Sequence, residues 1–438
     1  MSLWERLRET ARRAPNARAL SSGDRVLDYR ELVDSVERRA DAFVREPAAH
    51  GIDLDGGDPV GFLVDFFAAG RCGRAAIAQA PSVPLALRAL RKSALERRPP
   101  PPGSTVFYSS GSVGPGRAVP LSAGNLEAAA IAFLTWGELG PADRLAIGLS
   151  PAQILAFVRG ALNALAVGAE AVFFSPHRDP LEDAARLGAT KVLLPSALVR
   201  LAARHSSRPT LEALLCGGGA PDADAAEAVE RVRGVPVRAG YGMTESSGLA
   251  SRQPLSRPRR AGSAGLPAPG LEVVIAGEDG RSCPPGQSGE IRLSGPAVFS
   301  AYLLAEDGSP FDEAGRLRTG DVGVFDEEGE LRVRGRLAFA LRAGDRILCV
   351  EELEAALAEH PSVSEAAAAP LERDYGILIV SRGGPLEIDE LRAYAERRLP
   401  AFARPRRILA VPALPRTPAG KIDRKAAIRW LTESTNAG

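Results

Sequence analysis

Hydrophobic positions along the chain change their period several times, and each change marks an element. In YRELVDSVERRADA at 29–42, Leu32, Val36 and Ala40 recur at helical spacing, which predicts an amphipathic helix within a helix-bearing stretch over residues 1–96. Residues 59–67 are apolar enough to read as a buried strand running into a helix. RRPPPPG at 97–103 suits neither helix nor central strand and predicts a stiff, extended connector. Between 125 and 250, helical segments alternate with short apolar runs at 145–149, 171–175, 191–194 and 211–216. Such alternation predicts an α/β domain with a largely parallel sheet, in which ligands gather at the carboxyl ends of strands. GGGAP follows one of these runs, at 217–221, and YGMTE follows the run at 235–238. From 262 to 335 the pattern shortens to LEVVIAG, GEIRLSG and GELRVRG with turns between, which predicts a small antiparallel barrel or sheet. Beyond Gly335 helix and strand alternate again, as in a separate small α+β domain, and this part closes with PRTPAGKIDRKA.

Composition and charge narrow the class. A chain of 438 residues with 45% hydrophobic and 25% charged residues has the make-up of an enzyme with more than one domain. Its net charge of +1 provides no broad field for nucleic acid or anionic lipid, so a small-molecule substrate is expected. The start of the chain is charged and amphipathic, without the apolar core of a secretory signal. The apolar stretch 145–174 is interrupted by Arg159 and Glu170, which predicts core and not a membrane span. Cys72, Cys216, Cys283 and Cys349 lack metal-ligand spacing and read as buried thiols of a reducing, cytoplasmic compartment. His50, His177, His205 and His360 fit no ligand spacing either, and surface or local structural roles are expected for them. Of 55 basic residues only Lys92, Lys191, Lys421 and Lys425 are lysines, so arginine is the default cation here.

The chemistry begins at FYSSGSVGPGRAVPLSAGNL, residues 107–126. Ser109, Ser110 and Ser112 interleave with Gly111, Gly114 and Gly116, and Arg117 follows. Glycines let backbone N–H groups close on an anion, hydroxyls add donors, and a cation neutralises charge, so the run is suited to cradling phosphate. Ser/Gly runs also make flexible linkers, and the run alone leaves both readings open. It is not the loop of P-loop nucleotide triphosphatases, because no Gly-Lys-Ser/Thr follows.

Taken in order, these segments resemble the adenylate-forming superfamily of acyl- and aryl-CoA synthetases, peptide-synthetase adenylation domains and luciferases. The family's YTSGTTGxPKGV looks like YSSGSVGPGRAV, its adenine-side glycines like GGGAP, and its YGMTE stands unchanged at 241–245. Its TGD is matched by Thr319-Gly320-Asp321, its GR by Gly335-Arg336, and its PRTxxGKIxR by residues 415–424. The resemblance implies an α/β large domain over 1–336, with parallel α/β subdomains and a barrel-like subdomain, and a small mobile α+β domain over 337–438. It implies that Tyr241 stacks on adenine and that Gly217, Gly218, Gly219, Ala220 and Pro221 line the base, with Gly242 and Met243 beside them. Asp321 would accept hydrogen bonds from the ribose hydroxyls, and Arg336 would lie near the ribose. Thr244 would touch the α-phosphate and Glu245 would hold Mg²⁺. Lys421 would stabilise the attack of a carboxylate on the α-phosphorus of ATP. Gln153, Phe157, Gly240 and Gly248 would face the acid.

Departures from the family pattern are grouped. Val113 stands for a hydroxyl residue and Arg117 for a lysine in the glycine loop. Ala338 occupies the hinge position, and Gly344-Asp345 replaces paired glycines near the thiol path. No aspartate stands at the position by which the family's peptide-synthetase domains hold an α-amino group, which argues against α-amino acids, and an N-terminal part short for the superfamily favours an aryl or short acyl acid. The expected activity is AMP-forming ligation of a carboxylic acid to a thiol, with ATP and Mg²⁺ as cofactors and coenzyme A or carrier-protein phosphopantetheine as acceptor. An acyl carrier protein is then a possible partner. Two alternatives stay open: an adenylase serving a non-CoA acceptor, and a degenerate nucleotide-binding module without turnover.

Overall fold

The computed structural model describes residues 1–46, 51–109, 116–303, 308–343, 346–371, 375–384, 386–416 and 422–433. By internal contact the chain divides into two compact units, Met1–Val273 with Leu293–Leu317 and Val274–Arg292 with Arg318–Gly438.

The first unit is built on two sheets. The larger has nine strands, in the order Leu266–Pro267, Ser251–Arg252, Val237–Tyr241, Ala213–Gly217, Lys191–Pro195, Arg144–Ile147, Glu170–Phe173, Arg18–Ser22 and Arg25–Asp28. From Val237–Tyr241 across to Arg18–Ser22 all pairs are parallel, and antiparallel strands close both edges. Strands covered on both faces need apolar residues at every position, which is why Leu145, Ala146 and Ile147 are all buried and why the predicted runs read as unbroken. The second sheet orders Ile52–Asp55, Ala76–Gln79, Thr105–Ser109 and Arg117–Leu121, with the last pair antiparallel and Ser109 opposite Arg117.

Helix starts follow their capping chemistry. The predicted helix over 29–42 runs Tyr29–Arg45, opened by a capping box of Asp28 and Glu31, and it buries Leu32, Val36, Ala40 and Phe43 on one face. The run at 59–67 is no strand: it belongs to the helix Pro59–Arg71. An apolar run alone fits either element. Here Asp58 accepts from the Gly61 N–H and Pro59 takes the first turn, both of which favour a helix start. The proline connector begins once the helix Leu85–Arg97 has ended.

The second unit carries most of a four-stranded sheet of Glu272–Ala276, Gly289–Ser294, Leu317–Phe325 and Leu331–Arg336, its last pair antiparallel as the turn-rich pattern predicts. It also holds a three-stranded sheet of Val363–Pro370, Tyr375–Ser381 and Arg407–Ala410, covered by the helices Val350–Ala358, Ile388–Arg398 and Arg424–Glu433. Val350, Leu353, Leu357, Ile377, Ile379 and Leu391 pack on one face of that sheet, and Leu378, Leu414, Ala427 and Leu431 on the other. No helix among the described residues is long and apolar enough to cross a membrane.

Candidate active site

Motif residues of the first unit collect at the carboxyl ends of its strands. Gly217 and Tyr241 are the last residues of the neighbouring parallel strands Ala213–Gly217 and Val237–Tyr241, so both sit one step earlier than the loops expected from sequence. Beyond Gly217 the chain turns through Gly218 at φ 79° and Gly219 at φ 150°, and a methyl group on either would meet open space. Their freedom therefore serves backbone direction and an uncovered rim, not internal packing. Ser196 fixes the turn by donating to the carbonyls of Gly217 at 3.1 Å and Gly219 at 2.7 Å. Ala220 is exposed on the same rim, with Pro221 half-buried after it.

YGMTE makes a tight reversal. Gly248 N–H donates to the Met243 carbonyl at 2.8 Å, Ser247 adopts φ 54°, and Thr244–Ser246 form a single 3₁₀ turn. A Cβ on Gly242 would stand 2.4 Å from the Gly248 carbonyl oxygen, and one on Gly240 would stand 2.9 Å from the Ser251 carbonyl oxygen. Only glycine fits at Gly242, because the obstacle is backbone. Gly242→Ala is expected to open the reversal and lower the adenylation expected from the sequence about 100-fold, the order for displacing a reacting group by an ångström. Pyrophosphate exchange beside a thermal melt checks this; unchanged exchange would show that the reversal tolerates a side chain.

The reversal delivers Glu245 to a buried position, 4% exposed. Its Oε1 accepts a 2.8 Å hydrogen bond from the Tyr302 hydroxyl, and its backbone carbonyl accepts from the Phe299 N–H at 2.8 Å. Burial first, and then the Glu245 charge, push the Tyr302 hydroxyl up to about 12, so it stays a donor at neutral pH. The Arg117 guanidinium lies over the same ring, 5.0 Å from its centroid, with Nη1 at 3.4 Å from the hydroxyl oxygen. The strand after the glycine loop thus joins the YGMTE carboxylate through a tyrosine that no motif reading singled out. Its signal was faint: one of two aromatics in VFSAYLL at 298–304. At the other strand of this hairpin, buried Arg91 stacks on the Tyr108 ring at 3.7 Å, adding a second cation near Ser109 and Gly116.

Beneath the strand ends lies a buried charge cluster. Arg159, in the widened π-type helix Leu155–Leu162, donates to both oxygens of Glu138 at 3.1 and 2.7 Å and to the Cys216 carbonyl at 3.0 Å. Arg252 reaches the same carboxylate at 3.2 Å and the Trp136 carbonyl at 2.8 Å, with its guanidinium 4.6 Å from the Trp136 ring centre. Burial, and then repulsion from Arg159, bring Arg252 down to about 10 despite Glu138. Arg159, read from sequence as an interruption of an apolar run, is instead half of a buried ion pair that ties two strand ends together.

The residues expected to face the acid divide. Phe157 is fully buried among Phe62, Phe66 and Phe107, with ring centroids 4.8 to 5.7 Å away, and is part of the core in this structure. Gln153 is exposed, while Gly248 would bring a Cβ to 3.4 Å from Ile154. Lys191, one of the few lysines, is buried between Asp143 at 2.5 Å and Glu212 at 2.9 Å, a structural role. Cys216 and Cys349 are buried as expected, whereas Cys72 and Cys283 are only half-buried.

In the second unit Asp321, 6% exposed, lies directly across the sheet from Arg336, and Arg336 Nε stands 2.9 Å from its Oδ1. Thr319 braces the pair, donating to the Ile291 carbonyl at 2.7 Å and accepting from the Asp321 N–H at 3.0 Å. Ser110, Gly111, Ser112, Val113, Gly114, Asp345 and Lys421 lie outside the described residues. Among the described residues no three His, Cys, Asp or Glu side chains converge as a metal cage. A single carboxylate such as Glu245 suits Mg²⁺, which commonly takes one or two protein carboxylates and completes its shell with water and substrate phosphates.

Sequence profiles described as AMP-binding enzyme and AMP-binding enzyme C-terminal domain match residues 75–303 and 352–421. Salicyl-AMP ligase / salicyl-S-ArCP synthetase of Mycobacterium tuberculosis is 34% identical over 63% of this chain, an alignment spanning 52% of that protein. Sulfoacetate–CoA ligase of Cupriavidus necator is 32% identical over 77% of this chain and 70% of its own length. Among solved structures, ATP-bound MatB from Rhodopseudomonas palustris superposes with a TM-score of 0.85 at 19% identity, covering 98% of both chains. The o-succinylbenzoate CoA synthetase of Bacillus subtilis, in complex with its acyl-adenylate, gives 0.81 at 23% identity, again with 98% of both covered. These likenesses establish the α/β fold with its small C-terminal part.

Proposed function

The chain belongs to the AMP-binding enzymes, and on that premise we propose that it is an AMP-forming ligase joining an aryl or short acyl carboxylic acid to a thiol. In the first half-reaction a carboxylate oxygen bonds to the α-phosphorus of ATP and the bond to pyrophosphate breaks. In the second, a thiol sulfur bonds to the acyl carbon, its proton leaves to solvent, and AMP departs. The observation that carries the reading is the Arg117–Tyr302–Glu245 assembly, which sets a phosphate-neutralising cation beside a carboxylate suited to a hard metal. A phosphate-bound Mg²⁺ would draw charge from the departing pyrophosphate.

Roles for the chain's own residues follow from chemistry and position. Tyr241 stacks on adenine at the rim made by Gly217, Gly218, Gly219, Ala220 and Pro221. Thr244 donates to the α-phosphate, and Gly242 and Met243 hold the reversal that presents it. The loop donors Ser109, Ser110, Gly111, Ser112 and Gly114 contact the outer phosphates with Arg117. Asp321 and Arg336 serve the ribose, and Lys421 the reacting carboxylate. Gln153, Gly240 and Gly248 bound the acid. The functional division falls between 336 and 337, so that Lys421 is carried by the C-terminal domain. Acid-dependent ATP–pyrophosphate exchange over aryl, dicarboxylic and fatty acids, without thiol, tests the reading. Exchange with one class supports it; silence in a folded protein that binds ATP favours a module without turnover.

Asp345, standing where relatives have glycine, favours a second reading in which acyl-AMP passes to an acceptor other than free coenzyme A. Asp345→Gly is expected to raise thioester formation from coenzyme A while leaving pyrophosphate exchange unchanged. Single-turnover transfer from preformed acyl-AMP measures it, and an unaltered transfer rate would remove Asp345 from the argument.

A further inference from the structure

We infer that Tyr302 is a positioning residue that holds Glu245 in the rotamer needed to bind metal, and that Arg117 registers Tyr302 against the glycine loop. The inference rests on the nucleotide-site reading above and adds to it a residue outside the motifs named from the sequence. Three observations carry it. Tyr302 donates to Glu245 Oε1 at 2.8 Å, and Glu245 is buried, so the carboxylate has a fixed partner where water is scarce. The ring is itself held, packing edge-on against Phe299 at 4.8 Å, while Phe299 N–H donates to the Glu245 carbonyl at 2.8 Å. Arg117 also lies over the ring, and its planar guanidinium can cover an aromatic face and still offer N–H donors, which a lysine ammonium does less well.

Two further ties keep the segment in place. Leu303 N–H donates to the Ala118 carbonyl at 3.0 Å, next to Arg117, and Asn125 Nδ2 donates to the carbonyls of Pro296 and Val298 at 2.7 and 2.9 Å. The segment 296–303 is thereby bound at once to the strand that follows the glycine loop and to the YGMTE reversal. Where one metal ligand comes from the protein, its orientation decides much of the affinity, and a hydrogen bond from behind sets that orientation. The arginine that replaces the family's lysine in the glycine loop is then matched to this tyrosine.

Tyr302→Phe keeps the ring and removes only the donor. ATP binding followed by calorimetry, with and without Mg²⁺, reads the effect apart from turnover. In the variant, half-saturating Mg²⁺ is expected to rise about tenfold or more, while affinity for metal-free ATP changes less than twofold. Arg117→Lys should move Mg²⁺ dependence in the same direction, by a smaller factor. An unchanged Mg²⁺ dependence in Tyr302→Phe, with the parent chain binding Mg·ATP normally, overturns the inference alone. So does a uniform loss of ATP affinity with and without metal, which marks a packing role. A parent chain that binds no Mg·ATP overturns the nucleotide-site reading, and this inference with it.

Discussion

Replacing Lys421 with alanine is expected to lower acid-dependent ATP–pyrophosphate exchange by about two to three orders of magnitude, the cost of one electrostatic contact made in the transition state. When a carboxylate closes on the α-phosphorus, two anions are forced together while pyrophosphate carries charge away. A compact ammonium on a flexible stem can follow that charge as it develops, whereas a guanidinium is a planar fork suited to fixed partners. In a chain with four lysines among 55 basic residues, a lysine in PRTPAGKIDR is therefore informative. Lys421→Arg should restore little of the rate, although it keeps the charge. The measurement separates chemistry from binding: the affinity for Mg·ATP should change far less than the exchange rate. A loss of exchange below threefold in Lys421→Ala would remove the residue from the reaction.

Glu138→Gln carries the second large effect, and it falls on stability. Glu138 is completely buried and neutralises one of two buried arginines. The isosteric amide leaves no cavity, but it strands two desolvated guanidinium groups, at a cost of about 3–5 kcal/mol. Urea unfolding, followed by a probe in the first unit, should show it, and a loss under about 1 kcal/mol would mean the cluster is solvated enough to behave as a surface pair. The pH dependence has a definite sign. Burial pushes the Glu138 carboxyl up, but Arg159 and then Arg252 outweigh it and hold it below its ordinary value of 4.5 in the folded chain. A depressed folded value gives stability that is complete above the ordinary carboxylate range and lost as pH falls through the folded value. Glu138→Gln should therefore reduce stability at neutral pH while flattening its acid-side decline.

The two effects separate the tiers of this protein. Lys421 is proposed for the reaction from the motif that contains it. Glu138 touches no predicted substrate atom, yet the Arg159 it binds also holds the Cys216 carbonyl, one residue before the glycine rim. Slackening of that cluster should appear at the glycine rim proposed for the nucleotide as weaker ATP affinity before global unfolding.

Much of this was legible in the residues themselves. The unbroken apolar runs near 145, 171, 191 and 213 declare a parallel sheet covered on both faces, because each position must be apolar when neither face is wet. GGGAP, YGMTE, TGD and PRTPAGKIDR declare their order, whereas the close approach of Gly242 to the Gly248 carbonyl and the positive φ of Gly218 came from the structure. Tertiary structure decided the rest. The run at 59–67 became a helix through its cap, since hydrophobicity without periodicity does not choose between elements. Phe157 went to the core through contacts with Phe62 and Phe66 of the helix Pro59–Arg71 and Phe107 of the strand Thr105–Ser109, two elements distant from it in sequence. Arg159, Glu138 and Arg252 look like ordinary charges in the sequence, and Tyr302 like one more aromatic. Periodicity and turn chemistry act over a few residues and survive in the sequence, whereas the partner of a buried charge or hydroxyl is chosen by how distant elements pack.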